Sequence, residues 1–544
     1  MEKKDFAWWS FFIIPIFLLI IHVYFFKTVD NHKYKIHIDP DYQYLVSSID
    51  ISNLKNSRMV LHPGTTVQIM SHIIMKTIYL FSSKSGDDFQ TAVLKDPVSY
   101  LNILNSTFVL LNIILVLWLG LSVYNISKKI IVSLLIQFTP FLSSQTIIFG
   151  FRKITADIVM IFASLLMVLF LVKILYIDRY IFKKRVYIYL FFLGLISGFG
   201  IATKVPFVFL LIIPVIILPK YIHKIIYIVS TIVCGFLFTL PIAPIYYKTY
   251  KFYYKIFTHT GIYGRGEKRI VDLNDYILNL SKILVENLPF VLILIASMAY
   301  LIYIYFSTEN RKATVRDISF RLLFSITIAQ LLGIFVVAKH FKSKYLIPVL
   351  CLSGLLLYLI YSHFGKARNH LWDHYPASQK KKYLKGLYSG IVCFLIFSLL
   401  FTLIGVIKFH HRQADKLRAS IAIQIRMENE FSNYGVIYHY YAPSVIFGLE
   451  FGNRWTPIYT KRLRELYGDQ YFYNHFSQRF YIYNWHKRDK VSLQQIKKIY
   501  QKKVIMVGKA FHQFSKDLKI PPFSLRDVFG GGYFTIYKFE GSEK

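Results

Sequence analysis

Cysteine is scarce in this chain of 544 residues: Cys234, Cys351 and Cys393 are all there is. Each sits inside an apolar run, so neither a disulfide framework nor a thiolate metal site follows. Acidic residues are also few, 29 Asp and Glu against 65 Lys and Arg, for a net charge of +36. Such a surplus can mark a nucleic-acid partner. Here, however, the basic residues lie between apolar runs of membrane-spanning length, where orientation signals and anionic lipid account for them. No nucleic-acid partner is expected. The chain has no Gly-rich nucleotide loop, no P-loop, no His/Glu metal spacing on a helix and no Gly-x-Ser-x-Gly. It also shows no internal repeat, which leaves a transporter built from repeated halves with little support.

What the chain does have is apolar and aromatic. It is 55% hydrophobic and 18% aromatic, with 48 Phe and 42 Tyr, a composition suited to a bilayer interior and its interfaces. Runs long enough to cross about 30 Å of hydrocarbon predict about eleven spans, near 7–26, 100–124, 129–149, 154–177, 186–203, 205–220, 223–246, 283–306, 319–338, 345–364 and 386–409. The first is read as a retained span, because it is longer than a signal core and no small-residue cleavage site follows it. Lys3 and Lys4 put the N-terminus in the cytoplasm. Alternation then makes Lys128-Lys129, DRYIFKKR (178–185), Lys220 to Lys224, ENRKATVR (309–316) and the basic stretch 365–386 cytoplasmic as well. The other side receives the loop 27–99, the turns near residues 152, 204 and 340, the loop 247–282 and everything beyond about 410.

That tail is polar and punctuated by Gly, Pro and Asn. GVIYHYY (435–441), KKVIMVG (502–508) and GGYFTIYKFE (531–540) read as strands, and 413–431, 444–451 and 491–501 as helices. The expected architecture is a polytopic α-helical membrane protein (residues 1–409) followed by an extracytoplasmic α/β domain (410–544).

The loop after the first span holds the densest set of chemically able residues in the first third of the chain: Asp39, Asp41, Tyr42, Tyr44, Asp50, Arg58 and His62. Pro40 restricts Asp39 to an extended conformation and suits the first position of a helix, with Asp39 as its cap. Asp41 in the first turn complements the helix dipole. Either role keeps a carboxylate ionised, which a general base also requires. His62-Pro63-Gly64 is a turn into an interfacial helix, so His62 either binds substrate or fixes the turn. Outer-side cations are more numerous than the positive-inside rule predicts, and as a group they suit an anionic ligand. Singly, each reads equally well as a solvated or snorkelling charge. Lys204 stands apart, because it lies between two apolar runs, where a cation is costly. Asp157 either pairs with Lys153, one turn before it, or hydrogen-bonds sugar hydroxyls or orients a catalytic group. The loop around Thr258–Glu267 is either a connection or a lid.

Several motifs, in order, resemble the GT-C superfamily of polytopic glycosyltransferases, which includes the protein O-mannosyltransferases and the lipid A aminoarabinose transferases. They are the acidic run Asp39-Pro40-Asp41-Tyr42 after the first span, His62-Pro63-Gly64 before an interfacial helix, and Arg152 to Asp157 before the fourth span. Gly198 to Pro206 resembles the segment G-x-x-x-x-T-K-x-P, and Lys339 to Pro348 resembles K-H-x-R-Y-L-L-P, with Lys344 for the usual Arg. The likeness covers residues 1–409. It departs in the first loop, where Asp-Pro-Asp stands for the Asp-Glu of many members and resembles the metal-binding Asp of oligosaccharyltransferases.

The resemblance implies an inverting transfer of a hexose or pentose from a polyprenyl-phosphate-linked donor to an acceptor hydroxyl on a glycan, lipid or protein. It implies Asp39 or Asp41 as base, with Tyr44, His62, Lys153, Asp157, Lys204, Arg265, Lys268, Arg269, Lys339, His340 and Lys342 as substrate-binding candidates. No cofactor is implied beyond a divalent metal at Asp39 in the oligosaccharyltransferase-like version. The expected location is a bacterial inner membrane, in service of the cell envelope and its polysaccharides. The competing expectations are an oligosaccharyltransferase or glycan polymerase and, from another class, a lipid or glycan transporter.

Overall fold

The computed structural model describes residues 3–29, 38–56, 64–82, 86–176, 179–307, 315–371, 377–483, 490–501, 503–510, 525–530 and 533–539. Seven helices are long and apolar enough to cross a membrane: Pro97–Ser127, Ala156–Tyr176, Arg185–Thr203, Tyr221–Thr258, Leu288–Phe306, Ile318–Ala338 and Tyr388–Glu430. An eighth is the pair Ser343–Leu350 and Ser353–Ser362, bent by 42°. Shorter apolar helices cover Trp9–Phe25 and Val205–Ile217.

The expected count of eleven is therefore not reproduced by continuous helices among the described residues, and proline explains part of the difference. The run at 129–149 breaks into Ile130–Gln137, a 3-10 turn Thr139–Leu142 and Ser144–Gly150. Pro140 sits in that turn, where its missing N–H and ring interrupt the α-helical ladder. The run at 205–220 begins with Pro206 in a 3-10 helix, Val205–Leu211, and only then becomes the short α-helix Ile212–Ile217.

Polar side chains and small residues hold the bundle where lipid-like packing gives no direction. Gln137 Nε2 donates to the carbonyls of Phe11 and Val116, both at 3.1 Å, and Asn112 Nδ2 donates to Ile158 O at 3.1 Å. Gly198 lets the helix Arg179–Thr203 meet Tyr221–Thr239 backbone to backbone, since a Cβ there would lie 2.5 Å from Gly235 N.

The last long helix runs across the expected boundary at 409/410. Ala377–Glu430 is a single helix of 54 residues, about 80 Å long at 1.5 Å per residue. It leaves the apolar region and continues into the tail, where Ala419 and Ile423 cover one face of the sheet together with Ile505, Val507 and Ile536. The alternate residues Val504 and Met506 face the other side, with Ile437, Tyr471 and Ile496, as the two-residue period of a strand requires.

The sheet has seven strands in the order β4-β3-β2-β1-β5-β7-β6. They are β1 Gly435–Tyr438, β2 Tyr471–Asn474, β3 Arg479–Ile482, β4 Lys490–Val491, β5 Val504–Lys509, β6 Leu525–Gly530 and β7 Phe534–Phe539. β1 pairs parallel with β2 and with β5, and the outer pairs are antiparallel. The three strands read from sequence are β1, β5 and β7, while β2 and β3 form a hairpin the sequence reading passed over.

Candidate functional site

The acidic helix Ile38–Ser48 is the centre of the site. Asp39 is extended (φ −105°, ψ 121°) ahead of a cis bond to Pro40, as Pro40 led one to expect. The two aspartates have different surroundings. Asp39 is exposed, and its Oδ2 accepts a hydrogen bond from Tyr441 Oη at 3.1 Å. Asp41 is 1% exposed and lies within electrostatic reach of Arg152 and Lys153. Burial pushes the Lys153 ammonium below its ordinary value, and the Asp41 carboxylate acts to raise it again.

The helix is fixed from two sides. Beneath it runs Thr65–Ser82, whose Gln68 Nε2 donates to Ser47 Oγ at 3.1 Å and whose His72 Nδ1 lies 2.9 Å from Ser48 O. That helix is itself docked on the end of Arg179–Thr203. Gly64 N donates to Thr203 O at 3.2 Å, and the hydroxyls of Thr66 and Thr203 are 2.6 Å apart. Above it lies Val445–Trp455 of the tail. Gly448 faces the Tyr42 ring and Gly452 faces the Tyr42 carbonyl, each so close that a Cβ would fall 2.5 Å away. Tyr42, Leu45, Val46, Phe447 and Leu449 belong to one continuous core.

Three motifs distant in sequence converge on Asp157. Its carboxylate pairs with Lys204, both side chains being nearly inaccessible, and lies 3.8 Å from Lys344 Nζ. Lys204 Nζ also sits 4.8 Å from the centre of the Tyr345 ring. Asp157 thus meets two lysines distant in sequence, Lys204 and Lys344, beyond the Lys153 that the i, i+4 spacing offered. Tyr44 is fully buried between the two acidic groups. Asp157 and Asp39 both act on its phenol, and Ala156 N–H faces its oxygen.

The other candidate cations separate. Lys339 Nζ donates to Ile256 O at 2.8 Å and Phe257 O at 2.6 Å, and His340 Nε2 lies 2.9 Å from Ile256 O. They satisfy the last carbonyls of the helix Tyr246–Thr258, a favourable place for cations. Lys342 donates to Tyr263 Oη at 2.7 Å. The turn 259–272 is closed by Thr260 N to Glu267 O at 2.9 Å and Gly266 N to Thr260 O at 2.8 Å. On it Arg265, Lys268 and Arg269 are exposed. Arg269 is 3.4 Å from Glu267, and Arg265 acts electrostatically on Tyr440, as Asp39 does. His62 and Arg58 lie outside the described residues.

Beside the Lys204 end of the bundle, an apolar groove is lined by Ile201, Leu211, Val215, Ile228, Ile232 and Phe236. Ile228, Ile232 and Phe236 are exposed on the outside of the helices. No group of three or more His, Cys, Asp or Glu is placed to hold a metal among the described residues. Sequence reasoning did not reach Tyr441, and it counted Lys344 among the outer-side cations and as a motif departure but not among the single substrate-binding candidates. No spacing rule joins residues 39 and 441.

Fold and site together define a multi-pass helical membrane protein whose strand-containing tail closes over an acidic loop. No family model matches the chain, and no curated protein matches it either. Among solved structures it is similar to the crystal structure of ArnT from Cupriavidus metallidurans bound to undecaprenyl phosphate. The identity is 11% and the TM-score 0.46, over 96% of this chain and 97% of that one. At those values the likeness transfers neither activity nor ligand.

Proposed function

We propose that this protein is a GT-C-type glycosyltransferase that moves a sugar from a polyprenyl-phosphate-linked donor to an acceptor hydroxyl at the outer face of the membrane, with inversion. The observation that carries the reading is an exposed carboxylate, Asp39, at the same bundle end as a partly buried surplus of cations around Asp157. The acceptor oxygen forms a bond to the anomeric carbon as the bond from that carbon to the phosphate oxygen breaks. The acceptor proton passes to Asp39, and the electron pair of the broken bond leaves with polyprenyl phosphate. Lys344, 29% exposed, and Lys153 are the cations for the growing phosphate charge, and Lys204 holds Asp157 in place. The groove at Ile201–Phe236 suits the polyprenyl chain, which needs an apolar path beside the phosphate. Asp41, buried among Arg152 and Lys153, is assigned to holding the acidic helix rather than to the proton.

The test is turnover of purified protein in lipid nanodiscs with a panel of polyprenyl-phosphoryl hexoses and pentoses. Asp39→Asn is expected to lose about 100-fold or more, the usual contribution of a positioned base. If Asp39→Asn and Asp41→Asn both remain folded and fully active, the mechanism is wrong. Chelation separates this reading from the oligosaccharyltransferase type, which requires a metal at the corresponding aspartate.

A further inference from the structure

Tyr441 combines three features that packing alone does not require. It reaches from the tail to Asp39 Oδ2 across 402 positions of sequence. Its backbone is left-handed, with φ +54°, a conformation that costs a non-glycine residue about 1–2 kcal/mol. It also stands where β1 ends, at the carboxyl edge of the parallel strands β2-β1-β5. Chain order reverses about β1 there, and in open α/β sheets that edge is where ligands bind.

The surroundings over-determine this conformation. Ala442 N donates to His439 O at 2.8 Å, and Lys509 N ties the neighbouring carbonyl of Tyr440 to β5 at 3.0 Å. The ring is flanked by Tyr440, centroids 4.6 Å apart, and by Phe451 at 5.8 Å. Phe451 belongs to the helix whose Gly448 and Gly452 seat the acidic helix, so one element sets both ends of the hydrogen bond. Burial, with the charge of Asp39 added, holds the phenol far above its ordinary value. It therefore remains a donor at every working pH.

We infer that Tyr441 is a positioning residue of the catalytic site, which fixes Asp39 Oδ2 so that Oδ1 receives the acceptor proton. The tail domain is then a working part of the site as well as a surface for the acceptor. The inference rests on the assignment of Asp39 as base and goes beyond it.

The experiment compares Tyr441→Phe, Asp39→Asn and the double variant in nanodiscs, with a polyprenyl-phosphoryl sugar that supports wild-type turnover. Kinetics and thermal unfolding are both recorded. Tyr441→Phe keeps the ring and is expected to lower kcat about ten-fold, the scale of a hydrogen bond to a charged group. Donor KM and Tm should stay at wild-type values, and Tyr441→Phe should add nothing to Asp39→Asn. If Tyr441→Phe keeps full kcat while Asp39→Asn is inactive, the inference is overturned and glycosyl transfer stands. If kcat and Tm fall together, Tyr441 is structural and the inference is again overturned. If Asp39→Asn is fully active, the assignment of the base and the inference fall together.

Discussion

Replacing Asp157 by Asn tests whether the charge cluster is a structural unit. The change keeps the shape of the side chain and removes its charge. Lys204, 3% exposed along its side chain, then loses its ion-pair partner, and Lys344 at 3.8 Å loses a weaker one. Removing one member of a buried pair costs about 3–5 kcal/mol, because the other charge is left buried. The Tyr345 ring 4.8 Å from Lys204 Nζ returns part of this, up to about 2 kcal/mol for a desolvated cation–π contact. The contact to Lys344 is partly exposed and contributes about 0–1 kcal/mol. The expected loss is about 3 kcal/mol, read as a shift in equilibrium unfolding in mixed micelles. Lys204→Met should cost somewhat less, since Asp157 then keeps only the weaker contact to Lys344. The double variant should cost clearly less than the sum, with a coupling of about 2 kcal/mol or more, because neither charge is then left alone. Additive effects, or a silent Asp157→Asn, would refute the argument that these groups sustain each other.

Two further predictions concern the tail. Gly452→Ala should destabilise more than Gly448→Ala, because its Cβ would meet the Tyr42 carbonyl, which is backbone, whereas that of Gly448 meets the Tyr42 ring. Overpacking of this kind costs about 1–3 kcal/mol, and thermal unfolding of the two variants gives the order. The second follows from His439, which burial, with His475 beside it, holds well below its usual value of 6.5. Its folded form stays neutral while the unfolded chain takes up a proton, so stability is complete above pH 6.5 and falls as pH drops below it. The loss grows as pH falls further below that value, and His439→Gln should flatten that part of the unfolding profile against pH.

Legibility from sequence followed the range of the physics. Apolar runs reveal helices because the bilayer acts on each segment locally, so 156–176 and 318–338 came out close to the observed bounds. The convergence of Asp157, Lys204 and the 339–348 segment was legible as placement on one side, since alternating orientation assigns every turn a face. Which lysine of that segment does what was not legible. Lys339 and His340 turn to the helix end at Ile256, while Lys344 reaches Asp157, and a short 3-10 turn, Ser343–Leu346, decides between them. The continuous helix 377–430 was hidden by its polar stretch around 410. Polar composition marks the end of the bilayer but not the end of a helix, for Lys, Arg and Gln are good helix formers. Gly448-x-x-x-Gly452 was a readable sign of close helix contact, though its partner, Tyr42, was not readable.

The charge balance gives the site its direction. Arg152, Lys153, Lys204 and Lys344 stand against Asp39, Asp41 and Asp157 at one bundle end, which leaves one positive charge in excess among these groups. A protein selected for stability alone would place hydrophobic residues there, because a buried ion pair seldom outperforms them and a buried excess charge is worse. An anion offsets that cost, and it does so most when its charge is greatest. A phosphate leaving a sugar gains charge along the reaction, so a preformed cationic pocket favours the transition state over the bound donor. On this reasoning the destabilising excess and the catalytic power of the proposed enzyme come from the same residues. Neutralising Lys344, 29% exposed along its side chain, should therefore slow transfer while leaving the fold intact or slightly firmer, and a Lys344→Met protein that is both active and unstable would contradict it.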